Sequence, residues 1–209
     1  MKNIAIQNIV VSIVSTNCML VINKDTNETL IIDPGNEADR ISTAVTKFDC
    51  KPVAILLTHG HFDHVMAVDE LRDKYDIPVY LHEDEEELLG NAILNHSAKY
   101  GISYQTKADK LLKDNQKLKL AGINIEVLHT PGHTSGCCCY YLPDEAVLIS
   151  GDTLFYETVG RTDFETASGV AMRESIKRLL TTLPESVQVY PGHGDVTSIG
   201  HEKRYNPFA

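Results

Sequence analysis

The run Thr58-His59-Gly60-His61-Phe62-Asp63-His64 constrains this chain more than any other stretch, because four metal-capable side chains fall within six residues. It follows directly on Val53-Ala54-Ile55-Leu56-Leu57, an apolar run whose length and composition predict a buried strand. Whatever the fold, it has to end a strand in a ligand-bearing loop. A single histidine at a strand end is ordinarily a capping or packing residue. Four such groups together, with Gly60 relieving the backbone between the first two, are not accounted for in that way. Histidines at i and i+2 on an extended loop, with a carboxylate and a third histidine just beyond, can turn toward two neighbouring points, so the spacing suggests two metal ions. Four donors are too few to hold both, since a catalytic metal takes three or more protein ligands and keeps a position for water.

Three later fragments supply the remainder. His133 in Thr130-Pro131-Gly132-His133, Asp152 in Ser150-Gly151-Asp152-Thr153 and His193 in Tyr190-Pro191-Gly192-His193-Gly194 each lie just past a predicted strand. A glycine beside each allows a tight turn on a rigid sheet. The inventory of five histidines and two aspartates, with no cysteine at any of these points, suits zinc first, then iron or manganese. Asp152 is a reasonable bridging carboxylate.

The 209-residue chain is 43% hydrophobic, enough for a sizeable core, and no linker-like segment divides it, so one domain over residues 1–209 is expected. A formal net charge of -10 argues against a nucleic-acid partner. No signal-peptide block and no run of eighteen apolar residues is present, which leads to the expectation of a cytoplasmic protein without a membrane partner. Five cysteines in no framework spacing agree with a reducing compartment. The consecutive Cys137, Cys138 and Cys139 cannot converge on one ion, because alternate residues of a strand face opposite ways. They read as small buried apolar groups.

The pattern along the chain predicts antiparallel strands over 4–14, 17–22 and 28–32, then a helix over 37–48 with Pro52 barring its continuation. After strand 53–57 come a helix over 65–75 and a short strand over 77–81. The acidic run 83–87 reads as a solvated helix N-terminus, and His82 and His96 as peripheral. Residues 99–116 read as loop. Hairpins follow over 117–128 and 136–150, then a helix over 167–180 and a strand over 187–190. The order, β-rich and then α/β in each half, resembles a duplicated unit.

His-x-His-x-Asp-His, Pro-Gly-His-Thr, Gly-Asp and Pro-Gly-His, in this order and after Asp33-Pro34-Gly35, resemble the metallo-β-lactamase fold superfamily in its glyoxalase II-like branch. Gly160-Arg161-Thr162-Asp163-Phe164 and the closing Asn206-Pro207-Phe208 are similar to the short bacterial hydroxyacylglutathione hydrolase-like proteins, which lack the C-terminal helical domain of glyoxalase II. The resemblance implies an α/β fold, a four-layer αβ/βα sandwich of two mixed sheets with helices outside. It implies His59, His61 and His133 on one metal, Asp63, His64 and His193 on the other, and Asp152 between them. Asp33 and Thr58 would support the ligand loop and fix imidazole orientation. Arg161 falls where the family has a basic substrate-binding residue, and Tyr156 is its suggested companion. The implied activity is hydrolysis of an acidic thioester of the hydroxyacylglutathione type by a metal-bridging hydroxide, with Asp63 and Asp152 as catalytic carboxylates. The same motifs resemble persulfide dioxygenases, which would hold one iron with His59, His133 and Asp152. A lactonase and a non-catalytic metal-binding protein complete the alternatives.

Overall fold

A computed structural model describes residues 3–209. Strands β1 (Ile4–Val11), β2 (Thr16–Asn23) and β3 (Glu28–Ile32) form an antiparallel meander. Strand β3 then pairs in parallel with β4 (Lys51–Leu56) after helix α1 (Ala38–Lys47), and β5 (Val79–His82) and β6 (Lys110–Leu112) extend the parallel half. The second six-stranded sheet runs β14-β13-β10-β9-β8-β7, from β7 (Lys117–Leu120), β8 (Ile123–His129), β9 (Cys138–Leu142), β10 (Val147–Gly151), β13 (Gln188–Pro191) and β14 (Thr197–Ser198). Only β10 and β13 are parallel in it. A small hairpin, β11 (Leu154–Phe155) with β12 (Thr158–Val159), stands outside both sheets.

Burial on both faces explains the near-continuous apolar strands. Met19 and Val21 of β2 turn inward against Ile125, Val127 and Tyr140 of the facing sheet. Leu20 and Ile22, on the opposite face, pack with Ile41 and Val45 of α1 and Leu71 of α3 (Val68–Tyr75). On the far side, helix α5 (Gly169–Thr182) lays Met172, Ile176 and Leu179 on Leu148 and Val189. The result is helix, sheet, sheet, helix, the layering that the family resemblance implied. Each fully buried Ile or Leu contributes about 1.5–3 kcal/mol. Cys138 lies in the inter-sheet core and Cys139 in the α5 layer, and burial pushes both thiols up. No helix among the described residues is long and apolar enough to cross a membrane.

Three sequence expectations need correction. The helix expected over 65–75 starts earlier and is interrupted: α2 (Phe62–Val65) ends where the Ala67 N–H donates to Pro34 O at 2.9 Å rather than continuing the helical ladder. Within the expected loop 99–116, Lys110–Leu112 adds the edge strand β6, too short and too exposed to show a period. The acidic run makes a 3-10 turn, Glu83–Glu85, and the short α4 (Glu86–Leu89), and Glu85 is fully buried rather than solvated. Helix α6 (Ile199–Tyr205), capped by the Ser198 hydroxyl accepting from His201 N at 3.2 Å, closes the described chain.

Candidate metal centre

Each candidate donor leaves a strand at the same end of the two sheets. Strand β4 runs into Thr58–His64, β8 into the turn holding His133, β10 into Asp152 and β13 into His193. Two groups result, His59 with His61 and His133, and Asp63 with His64 and His193, the donor atoms of each lying within 4.8 Å of one another. His61 Nδ1 and His133 Nε2 are 2.9 Å apart, and His64 Nε2 and His193 Nε2 are 3.4 Å apart. Asp152 stands between the groups, with Oδ1 3.4 Å from His64 Nε2 and Oδ2 3.4 Å from His133 Nε2.

The rings are held from behind. Asp33 accepts from Thr58 N at 2.8 Å and from Thr58 Oγ1 at 2.6 Å, and its Oδ2 lies 3.0 Å from His64 Nδ1. Thr58 Oγ1 lies 3.2 Å from His59 Nδ1, and His133 Nδ1 lies 2.8 Å from the Arg161 carbonyl. Using one ring nitrogen in this way fixes which nitrogen faces the site. Thr16 Oγ1 donates to Asp63 Oδ2 at 2.8 Å.

The donor chemistry fits divalent cations. His59 Nε2 and Asp152 Oδ1 are buried without a hydrogen-bond partner, an arrangement that is costly unless an ion uses them. Burial, reinforced by the neighbouring imidazoles, holds His59 and His61 well below the usual histidine range, leaving lone pairs free. Burial also lowers His64, but the carboxylates of Asp63, Asp152 and Asp33 outweigh it and push His64 up to about 10. Burial raises Asp63, yet His64 and His193 hold it well below the usual carboxylate range. Two cations would take over the role of these imidazolium charges, releasing protons as they bind.

A cavity of about 400 Å³ opens in front of the groups, walled by Phe155, Phe164, Tyr100, Lys99, Arg161 and His96. Arg161 reaches it, but its guanidinium is already paired with Asp163 at 3.0 and 2.8 Å. Tyr156 does not line it. The turn between β11 and β12 carries that ring outward to stack on His201, centroids 4.9 Å apart. His96, read from sequence as peripheral, is 5% exposed and packs on His61 and Phe164, with centroids at 4.9 and 4.6 Å. His82 does lie apart, flat against His129.

Sequence reasoning missed Glu85. Its carboxylate accepts from Gly60 N at 3.0 Å, Gly136 N at 2.8 Å and Thr134 Oγ1 at 2.9 Å, and so ties the loop of His59 and His61 to the loop of His133. Burial pushes its carboxyl from 4.5 up to about 7 against the lowering pull of these donors. The folded chain holds this proton more tightly than the unfolded one, so the stabilisation is complete below pH 4.5 and is lost as the pH rises through about 7. The unfolding free energy of metal-free wild type minus that of Glu85→Gln should therefore fall across this window, by roughly 3 kcal/mol at most. Urea titrations at several pH values check this, and a pH-independent difference refutes it.

The family model described as the metallo-beta-lactamase superfamily matches residues 12–193. The chain is 42% identical over 197 residues to the probable metallo-hydrolase YqgX of Bacillus subtilis, covering 93% of this chain and 92% of that protein. It is 35% identical over 209 residues to hydroxyacylglutathione hydrolase GloC of Haemophilus influenzae, covering 97% of each. Among solved structures, the BLEG-1 B3 metallo-beta-lactamase superposes with a TM-score of 0.93 at 40% identity, covering 98% of this chain and 99% of that one. TTHA1623 in a di-iron-bound form gives 0.87 at 37% identity, covering 97% and 100%. ETHE1 from Myxococcus xanthus gives 0.81 at 29% identity, covering 97% and 83%. The layered sheets, the two His/Asp groups at their common end and these matches agree: the chain belongs to the metallo-beta-lactamase superfamily.

Proposed function

We propose that this metallo-hydrolase cleaves thioesters of the hydroxyacylglutathione type. The observation that carries the reading is the position of Asp152 between the two donor groups, with Oδ1 3.4 Å from His64 and Oδ2 3.4 Å from His133 and 3.6 Å from His193. A carboxylate so placed suits a pair of ions rather than one, and a pair suits hydrolysis. His59, His61 and His133 would hold one divalent cation and Asp63, His64 and His193 the other. Bound there, such ions polarise a carbonyl oxygen and make water nucleophilic near neutral pH. The rest falls to the chain. Asp63, fixed by Thr16 and kept ionised, orients the attacking water and has no proton to give a leaving group. A thiolate, with a thiol pKa near 8.5, departs without such help, whereas an amine does not. Phe155 and Phe164 give the cavity apolar walls, and the ammonium of Lys99 suits an acidic substrate. The 35% identity with GloC over nearly the full length of both chains supports the same substrate class.

Elemental analysis of protein expressed without added metal, paired with S-D-lactoylglutathione turnover in the same preparation, tests this reading. Two divalent ions per chain with thioester cleavage are expected. One iron per chain, no cleavage, and oxygen uptake with glutathione persulfide would overturn it in favour of the dioxygenase chemistry that the motifs also resemble.

A further inference from the structure

The cavity has one wall that the metal-ligand motifs do not account for, the segment from Asn95 to Tyr100. It is bolted to the ligand loop. Phe62 N, between His61 and Asp63, donates to Asn95 O at 2.8 Å, and the Phe62 and Tyr100 rings meet at 4.4 Å. Asn95 is fully buried; its side chain donates to Tyr104 O at 2.9 Å and accepts from Ser97 N at 2.9 Å, closing the turn from beneath. The segment therefore keeps a fixed place relative to the reacting centre.

What it presents is unusual. His96 sits in the left-handed region, at φ 67°, a conformation that histidine adopts more readily than most residues but that still costs free energy. The strain carries a ring into the cavity wall, where it stacks on His61 with both ring nitrogens buried and without a partner. Glu165 is the acid nearest that ring, and its Oε2, at 3.9 Å from His96 Nε2, is beyond hydrogen-bond reach. Residues 97–100 then form a 3-10 turn, in which side chains three apart eclipse. Lys99, within this turn, lines the same cavity as His96. It is exposed where His96 is buried, and its ammonium lies 5.9 Å from the Phe164 ring centroid and forms no ion pair among the described residues.

We infer that residues 95–100 are the substrate-reading wall of this pocket: His96 hydrogen-bonds a hydroxyl on the acyl group beside the reacting carbonyl, and Lys99 pairs with a carboxylate on the thiol carrier. The inference rests on the thioester reading and assigns the two residues that would recognise the acyl and carrier ends of such a substrate. An imidazole offers one donor and one acceptor, and a hydroxyl returns one of each, whereas a carboxylate only accepts. The depth of the two groups sets the order, with His96 one ring away from the centre and Lys99 at the mouth.

Four thioesters and two substitutions test the wall on metal-loaded protein. S-D-lactoylglutathione and S-acetylglutathione differ in the hydroxyl, and S-lactoyl-N-acetylcysteamine and S-acetyl-N-acetylcysteamine repeat that pair on a neutral carrier. His96→Phe keeps the ring stack and removes the nitrogens, and should cut the lactoyl-over-acetyl preference in kcat/KM about tenfold or more on either carrier. Lys99→Met should cut the glutathione-over-cysteamine preference about fivefold, through KM, and flatten its dependence on salt. Equal losses on both members of a pair, or none, overturn the inference, provided metal content and thermal midpoint match the wild type. Should the wild type hydrolyse none of the four, the thioester reading falls, and calorimetric binding of glutathione judges the wall separately. Binding about fivefold weaker in Lys99→Met sustains the Lys99 contact, whereas binding that is equal, or absent from the wild type, removes it.

Discussion

Asp152→Ala should lose more than about 100-fold in thioester turnover, beyond what removing a group that only supports a ligand costs. It should retain at most one tightly held divalent ion per chain. Asp152 is the carboxylate whose oxygens approach His64, His133 and His193, at 3.4, 3.4 and 3.6 Å. Its Oδ1 is buried without a hydrogen-bond partner, a cost to the fold that its charge on His64 offsets in the metal-free protein. The metal-free variant should accordingly unfold within about 1 kcal/mol of metal-free wild type. Metal per chain, turnover and urea unfolding on one preparation separate a ligand from a structural residue. Two retained ions with turnover within tenfold of wild type would sink the proposed division of ligands.

The second large effect comes from a position without a side chain. A Cβ at Gly35 would lie 1.6 Å from the Asp63 carbonyl oxygen and 2.7 Å from its carbon, both backbone atoms that no rotamer change can move. The Asp33-Pro34-Gly35 turn is pressed against the ligand loop, and Pro34 O accepts from Ala67 N at 2.9 Å. Gly35→Ala must separate the two, taking Asp33 from Thr58 and His64. We expect a loss above about 4 kcal/mol, outside the 1–3 kcal/mol of ordinary overpacking, together with loss of metal. Gly90→Ala is the control, because its Cβ would meet nothing closer than 3.5 Å. Denaturation midpoints of the two variants decide the matter, and equal stabilities would show that the turn has room to yield.

The candidate donors that the structure brings together were legible in the sequence because each sits in a short motif at a strand end, where local rules of turn and strand operate. The residues themselves showed the β-rich and then α/β order of each half, while the four-layer sandwich came from the resemblance that the motifs carry. Glu85 was hidden inside an acidic run that looks solvated. One signal could have found it: Leu88 and Leu89 lie three and four residues on, which puts Glu85 on the apolar face of any helical turn there. His96 had no such signal, because its position depends on one left-handed residue. Tyr156, suggested as the companion of Arg161, was misread because a two-residue hairpin turn carries it away from the cavity. Short elements such as β6 and β14 owe their existence to a neighbouring strand and leave no period of their own.

The seam between the two sheets has a consequence for the life of the protein. Thr58 O accepts from Cys138 N at 2.9 Å, Leu57 O from the Tyr140 hydroxyl at 2.7 Å, and Gly192 O from Asn17 N at 2.7 Å, so the halves are stitched at the end where the donors gather. His59, His61, Asp63 and His64 come from one half and His133, Asp152 and His193 from the other. Cations held by these donors would act as rivets. Each would add its binding free energy to the joint, and a chain whose halves have not yet met would hold neither ion tightly. Metal supply would then set how long a newly made chain stays open to proteases, and occupancy would mark the copies that have finished folding.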